Sequence, residues 1–123
     1  MIKCVKVEDT GLVEAYCKKC GIEYESNIYA YNLEENEVKA GVLLFYADIP
    51  SQTGKIFYVN CKNETDPLFI EMLIKSALNS LDWMGIETVT SSAEKYSEIF
   101  KKIGFSNTPP TLELNGYFTP CEQ

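Results

Sequence analysis

Cys17-Lys18-Lys19-Cys20 places two thiols at the spacing of half a zinc site or of a dithiol redox pair. Nothing nearby in the sequence completes either chemistry. No second pair follows at ligand spacing, and Cys4, Cys61 and Cys121 add ligands only if the fold gathers them. Both thiols also continue an apolar helical stripe, so their first reading is core, and no metal is assigned. The chain has no histidine, which removes the usual general base near neutral pH together with Ser-His, Cys-His and histidine-ligated metal chemistry. Hydroxyls remain. Tyr96 lies on the apolar side of a short helical segment, where a tyrosine is ordinarily core but can also donate a proton. The last feature is the turn Glu64-Thr65-Asp66-Pro67-Leu68-Phe69. A helix N-terminus binds phosphate through free N–H groups and a positive dipole end, provided small residues let the anion approach. Here there is no glycine, Pro67 has no N–H, Phe69 adds bulk, and Glu64 and Asp66 carry the wrong sign.

Composition narrows the setting. The chain has 123 residues, 46% of them hydrophobic, enough for one domain, 1–123, with a core of its own. Eighteen acidic residues against eleven lysines and no arginine give a net charge of -7, which argues against nucleic acid and anionic membranes as partners. A small molecule or a protein is the expected partner. The longest apolar run, Gly41 to Ala47, is far short of the roughly 20 residues of a membrane span. Met1-Ile2-Lys3-Cys4 lacks a signal-peptide layout, and five cysteines are an odd count, so a cytoplasmic protein with reduced thiols is expected.

Elements that would position these residues follow from periodicity and punctuation. Ile2 to Val7 alternates as a strand. Thr10 can cap a helix with Leu12, Val13, Tyr16, Cys17 and Cys20 on one face and Gly21 as its stop. Asn27 to Leu33 and Val38 to Ile49 read as a hairpin about Glu34-Glu35-Asn36, and Lys55 to Cys61 as a third antiparallel strand after the turn at Pro50 to Gly54. Asp66 and Pro67 open a long helix reaching Gly85, with Glu71, Lys75, Asn79 and Asp82 as its polar stripe and Leu68, Phe69, Met72, Leu73, Ala77, Leu81 and Met84 over most of the rest. Ile86 to Thr90 then makes a parallel βαβ unit. Ser91-Ser92-Ala93-Glu94 is a capping box before a helix with Tyr96, Ile99, Phe100 and Ile103 on one face and Gly104 at its end. Strands at Thr111 to Leu114 and Tyr117 to Thr119 flank an Asn115-Gly116 turn. The tyrosines at 24, 29, 31, 46 and 58 and Trp83 are expected mainly as sheet packing.

The order β, α, ββ, β, α, β, α, ββ resembles the GCN5-related N-acetyltransferase (GNAT) superfamily over most of the chain. Val38-Lys39-Ala40-Gly41-Val42 looks like that family's third strand, Ile56-Phe57-Tyr58-Val59 like its fourth, and Tyr96 to Phe105 like its motif B. The family's coenzyme stretch aligns without a gap from Val59 to Leu73. Glu64 stands where the family has Arg, and Thr65, Pro67 and Phe69 replace its three small residues. The family's helical tyrosine, a proton donor in many members, is Phe100 here, and the nearest hydroxyl on that face is Tyr96.

The resemblance implies an α/β (α+β) fold, a mixed, mostly antiparallel central sheet with helices on both faces. By position it implies coenzyme contacts at Val59, Cys61, Glu64, Thr65, Asp66 and Phe69. It implies a substrate groove edged by Tyr46, Tyr58, Asn60 and Ser91, and a catalytic role for Tyr96. Because the phosphate turn is substituted, the leading expectation is a weak or non-catalytic ligand-binding or interaction module. The alternative is an N-acyltransferase moving an acetyl group from acetyl-CoA to an unknown amine, with the coenzyme held by strand backbone near Val59 and Cys61. A cysteine metal or thiol-redox protein is the third.

Overall fold

The computed structural model describes residues 1–118. The elements run β1 (Ile2–Lys6), α1 (Thr10–Lys19), β2 (Ile28–Glu35), β3 (Val38–Asp48), β4 (Thr53–Cys61), α2 (Pro67–Trp83), β5 (Thr88–Ser91), α3 (Ser97–Ile103) and β6 (Thr111–Glu113). They form one six-stranded sheet in sequence order, β1-β2-β3-β4-β5-β6. Every neighbouring pair is antiparallel except β4 and β5, which are joined through α2 and run parallel. The mixed, mostly antiparallel sheet expected from the sequence is therefore present.

Helices cover both faces, as the alternation of the strands requires. Leu43, Phe45, Ile56 and Val59 point to the side where α2 and α3 pack, while Ala30 and Leu44 meet Val13, Tyr16 and Cys17 of α1. Helix α2 buries Ile70, Leu73, Ile74, Ala77, Leu78 and Leu81, a stripe at helical spacing. Asp66 accepts from the Leu68 N–H at 2.9 Å and Pro67 occupies the first helical position, so α2 starts as its sequence dictates. Gly41 is required by packing: a Cβ there would lie 2.5 Å from the Cys61 sulfur and 3.2 Å from the Asn60 carbonyl oxygen. No helix of the described residues is long and apolar enough to cross a membrane.

Several local expectations are corrected. Helix α1 is capped by Asp9, whose Oδ1 accepts from the N–H groups of Gly11 and Leu12, and not by Thr10. Leu12 is exposed. The β2–β3 turn falls on Asn36 and Glu37, both with positive φ, the geometry that matches strand twist in a two-residue hairpin. The polar stripe of α2 is rotated: Glu71 lies against α3, where Lys102 reaches it at 3.2 Å, and Leu68, Met72 and Trp83 are the exposed ridge. Ser91 does not open a helix. It still belongs to β5, opposite Ile56, and its hydroxyl only closes a local turn by accepting from Ala93 N–H, so α3 begins six residues later. Among the described residues no strand follows β6. Tyr117 turns back, its N–H on the Leu114 carbonyl and its hydroxyl on the Ile103 carbonyl. Thr119 and Cys121 lie outside the described residues.

Candidate functional site

Strands β4 and β5 part company halfway. They pair from Thr53 opposite Thr88 to Ile56 opposite Ser91, and Ser92 N–H closes the ladder on the Ile56 carbonyl at 3.0 Å. Beyond that point Phe57 to Cys61 have no strand on this side. The register shift between Leu44 and Phe45 places Phe57 without a partner on β3, and such a bulge bends the strand. A gap of about 430 Å³ opens, walled by Phe57 to Asn60 on one side and Ser92 to Lys95 on the other. The sheet is therefore splayed between the second half of β4 and the segment after β5.

The far end of this gap is bridged. Tyr96 is the residue before α3 and adopts a left-handed conformation, φ 66 and ψ 30, uncommon for an aromatic residue. That geometry sends its side chain across the gap to the end of β4. The hydroxyl accepts from the Cys61 N–H at 3.0 Å and donates to the Cys61 carbonyl at 3.4 Å. Lys95 makes a second crossing, donating to Asn60 Oδ1 at 2.6 Å with its ammonium 5.6 Å from the centre of the Tyr96 ring. Because strand residues alternate, Val59 presents its N–H and C=O to the same gap as Cys61.

Past the bridge lies the turn into α2. Thr65 N–H is taken by the Lys62 carbonyl at 3.0 Å, Leu68 N–H by the Asp66 carboxylate, and Phe69 N–H by the Asp66 carbonyl at 2.9 Å. A shallow concavity of about 200 Å³ is lined there by Glu35, Lys62, Glu64, Thr65, Asp66 and Phe69. Three of the N–H groups around this turn are thus engaged within the chain, and three carboxylates face one lysine.

The other predicted residues separate. Tyr58 and Asn60 do line concave surface, on both sides of β4. Tyr46 sits toward the opposite end of the sheet against Phe57, ring centres 6.4 Å apart, and Ser91 is buried with its hydroxyl spent on Ala93. Phe100, which the resemblance aligns with a helical tyrosine, is buried in the core, edge-on to Phe105 at 5.1 Å. Burial pushes the Cys61 thiol up to about 11, with nearby Cys4 adding and Lys95 and the Tyr96 hydroxyl opposing. Burial also raises Cys17 and Cys20, and for Cys17 the charges of Cys20 and Glu14 add to the effect. These two thiols lie at the C-terminal end of α1, whose dipole disfavours thiolate. Cys17 is fully buried, and among the described residues no three Cys, Asp or Glu side chains are placed to hold a metal ion.

Tyr58 and Asn60, expected to edge a groove, do line a pocket, but with lysines that the sequence did not point to. On the α1 face, where α1 ends over β3 and β4, a pocket of about 320 Å³ is lined by Tyr16, Lys19, Lys39, Tyr58, Asn60 and Lys62, among others. Its lysines are distant in sequence: Lys39 and Lys62 meet through the β3–β4 register, Gly41 opposite Cys61, and Lys19 joins them through the packing of α1 on the sheet.

A splayed mixed sheet, covered by helices on both faces and with a helix starting beside the split, defines an architecture shared with acyl-transfer enzymes. The fold is that of the GNAT acetyltransferases. The chain resembles the spermidine N-acetyltransferase from Vibrio cholerae over 98% of its own length and 98% of that chain, with TM-score 0.71 and 10% identity. It resembles the ribosomal-protein-S18-alanine N-acetyltransferase from Escherichia coli over 86% and 78%, with TM-score 0.68 and 14% identity. An acetyltransferase from Bacillus subtilis in complex with CoA matches over 85% and 75%, with TM-score 0.60 and 17% identity. At these identities the likeness concerns the fold alone. No protein-family model and no curated protein matches the sequence.

Proposed function

We propose that this chain is a ligand-binding module built on the GNAT fold, with no acyl transfer of its own. The observation that carries the reading is the Tyr96 hydroxyl seated on both backbone groups of Cys61. Those groups are where the pantetheine arm of a coenzyme bound in the family's manner would hydrogen-bond. The arm would have to displace the hydroxyl, pass the Lys95 to Asn60 contact, and deliver a pyrophosphate to a turn lined by Glu35, Glu64 and Asp66. At Cys61 the arm would only exchange one hydrogen bond for another, gaining little, and at the turn like charges repel. Phe100, in place of the family's helical tyrosine, leaves no proton donor at that position. The free thiols of Cys4, Cys17, Cys20 and Cys61 support a reducing, cytosolic setting.

Titration with millimolar acetyl-CoA, followed by thermal unfolding and by amide shifts, tests this. A ligand that binds the folded state stabilises it by mass action. The expected result is no saturable stabilisation and no movement of the Val59 and Cys61 amides. Saturable stabilisation with those two amides shifting would overturn the reading.

A second reading, an active N-acyltransferase, is favoured by the open gap and by the backbone groups of Val59 that face it. Under it Tyr96 leaves Cys61 when acetyl-CoA enters, and its hydroxyl or solvent carries the proton. The two readings part on one variant. Tyr96→Gly removes the bridge and suits the left-handed conformation; under the module reading it gains acetyl-CoA affinity, whereas under the enzyme reading it loses turnover of amines.

A further inference from the structure

We infer that the pocket on the α1 face is a binding site for a small multivalent anion, a di- or tricarboxylate or a phosphate. Carboxylates outnumber lysines in this chain, eighteen to eleven. The pocket reverses that ratio: Lys19, Lys39 and Lys62 line it, and none of its lining residues is Asp or Glu. Among the described residues the ion pairs involve Lys75, Lys101 and Lys102; Lys19, Lys39 and Lys62 form none, although Lys62 also borders the carboxylates of the α2 turn.

The site also has built parts. The Lys39 ammonium stands 4.7 Å over the centre of the Tyr16 ring and donates to its hydroxyl at 3.3 Å, while that hydroxyl donates to Asn32 Oδ1 at 3.2 Å. Tyr16 is itself buried, so it fixes where this cation sits. An ammonium held in place over a ring loses less side-chain freedom when it pairs with an anion than a free lysine does. Lys19 comes from the last turn of α1 and Lys62 from the residue after β4, so positive charge converges from three segments. Tyr58 and Asn60 add an apolar wall and a polar amide. The volume, about 320 Å³, is at the small end for ligand pockets and suits a compact metabolite.

The inference deepens the module reading and rests on it for its role. It also selects against amines: three ammonium groups repel the class of acceptor that an N-acetyltransferase uses, at the very place where Tyr58 and Asn60 were expected to edge a substrate groove.

Succinate, inorganic phosphate and 1,4-diaminobutane are the probes, the diamine being a four-carbon counterpart of succinate with the charge reversed. Isothermal titration and amide shifts are read on the unaltered protein, on Lys39→Gln/Lys62→Gln, and on Lys3→Gln, a lysine of β1 outside the pocket. Saturable binding of either anion is expected, with Tyr16 and Tyr58 shifting, and which anion binds tells carboxylate from phosphate. The double variant should weaken binding about tenfold or more, as loss of charge-assisted bonds does. Lys3→Gln should leave it unchanged. The proposal fails if neither anion binds at millimolar concentration, if the diamine binds as well as succinate, or if the double variant binds anions as before. Val59 lines only the gap and Tyr16 only this pocket, so acetyl-CoA shifts at Val59 and anion shifts at Tyr16 let either proposal fail while the other holds.

Discussion

The end of β4 separates two concave regions that the same chain has charged oppositely. Toward α2, three carboxylates and one lysine surround a turn in which the Thr65, Leu68 and Phe69 N–H groups are engaged within the chain. Toward α1, three lysines and no carboxylate surround a pocket whose cation at Lys39 rests on Tyr16. Lys62 borders both. Here negative charge gathers at the start of α2 and positive charge gathers one strand-face away, so the two concavities favour ligands of opposite charge. Each region can be disturbed separately, and the β3–β4 pair beneath them disturbs both.

The largest effect is expected from that shared base. In Gly41→Ala the new methyl group would meet the Cys61 sulfur and the Asn60 backbone, and the backbone cannot give way as a side chain tip can. Overpacking of this kind costs about 1–3 kcal/mol. Denaturant unfolding should show the loss, and both the Cys61 and Tyr58 amides should shift, because one strand carries the two regions. Cys61→Ala in the same chain should restore part of the loss in a double-mutant cycle. A neutral Gly41→Ala would mean that the strands separate more freely than their packing allows, and that the two regions are not tied together.

Tyr96→Phe comes next. It keeps the ring but strips the hydroxyl from the Cys61 N–H and C=O, leaving a part-buried donor without a partner. The expected cost is about 1–2 kcal/mol, with faster hydrogen exchange at Cys61 and none of the anion affinity lost. Unchanged exchange would show that the bridge contributes nothing and that the gap is open to a coenzyme after all. Asp66→Ala should cost about 1 kcal/mol through loss of the α2 cap, and Asp66→Ser much less, since a serine oxygen can still accept from Leu68 N–H. If Asp66→Ala were neutral, the N–H groups at the start of α2 would be free for an anion, and the contrast between the two regions would shrink to charge alone.

What the sequence discloses about these regions depends on how local the cause is. Asp66 and Pro67 announce the start of α2 because a cap and a missing N–H act within three residues. The parallel β4–α2–β5 unit is equally legible, since strand, helix and strand follow one another with short connections. The capping box at Ser91 misleads because pairing with Ile56, thirty-five positions away, holds that residue in the sheet. The Tyr96 bridge spans the same separation and depends on a left-handed backbone that no local pattern signals. The pocket is the least legible part. Lys39 is visible only as a neighbour of Gly41, and its meeting with Lys19 and Lys62 follows from strand register and from the seating of α1, neither of which periodicity supplies.

The smallest stability effect is expected at Lys39, and it is the one that sharpens the contrast most. Lys39→Gln removes the ammonium over the Tyr16 ring but leaves the ring buried and its hydroxyl bonded to Asn32. A cation over an aromatic face at an exposed site stabilises by about 0.5–1 kcal/mol. Removing one of three unpaired like charges returns part of that, because neighbouring ammonium groups repel. Thermal unfolding without ligand should therefore move very little, and succinate or phosphate should stabilise the variant less than the unaltered protein. A protein that places three lysines together without using them would gain stability on losing one, with no change in ligand response. If Lys39→Gln behaves in that way, the positive charge on the α1 face is incidental, and only the negative, bridged entrance remains to distinguish the two regions.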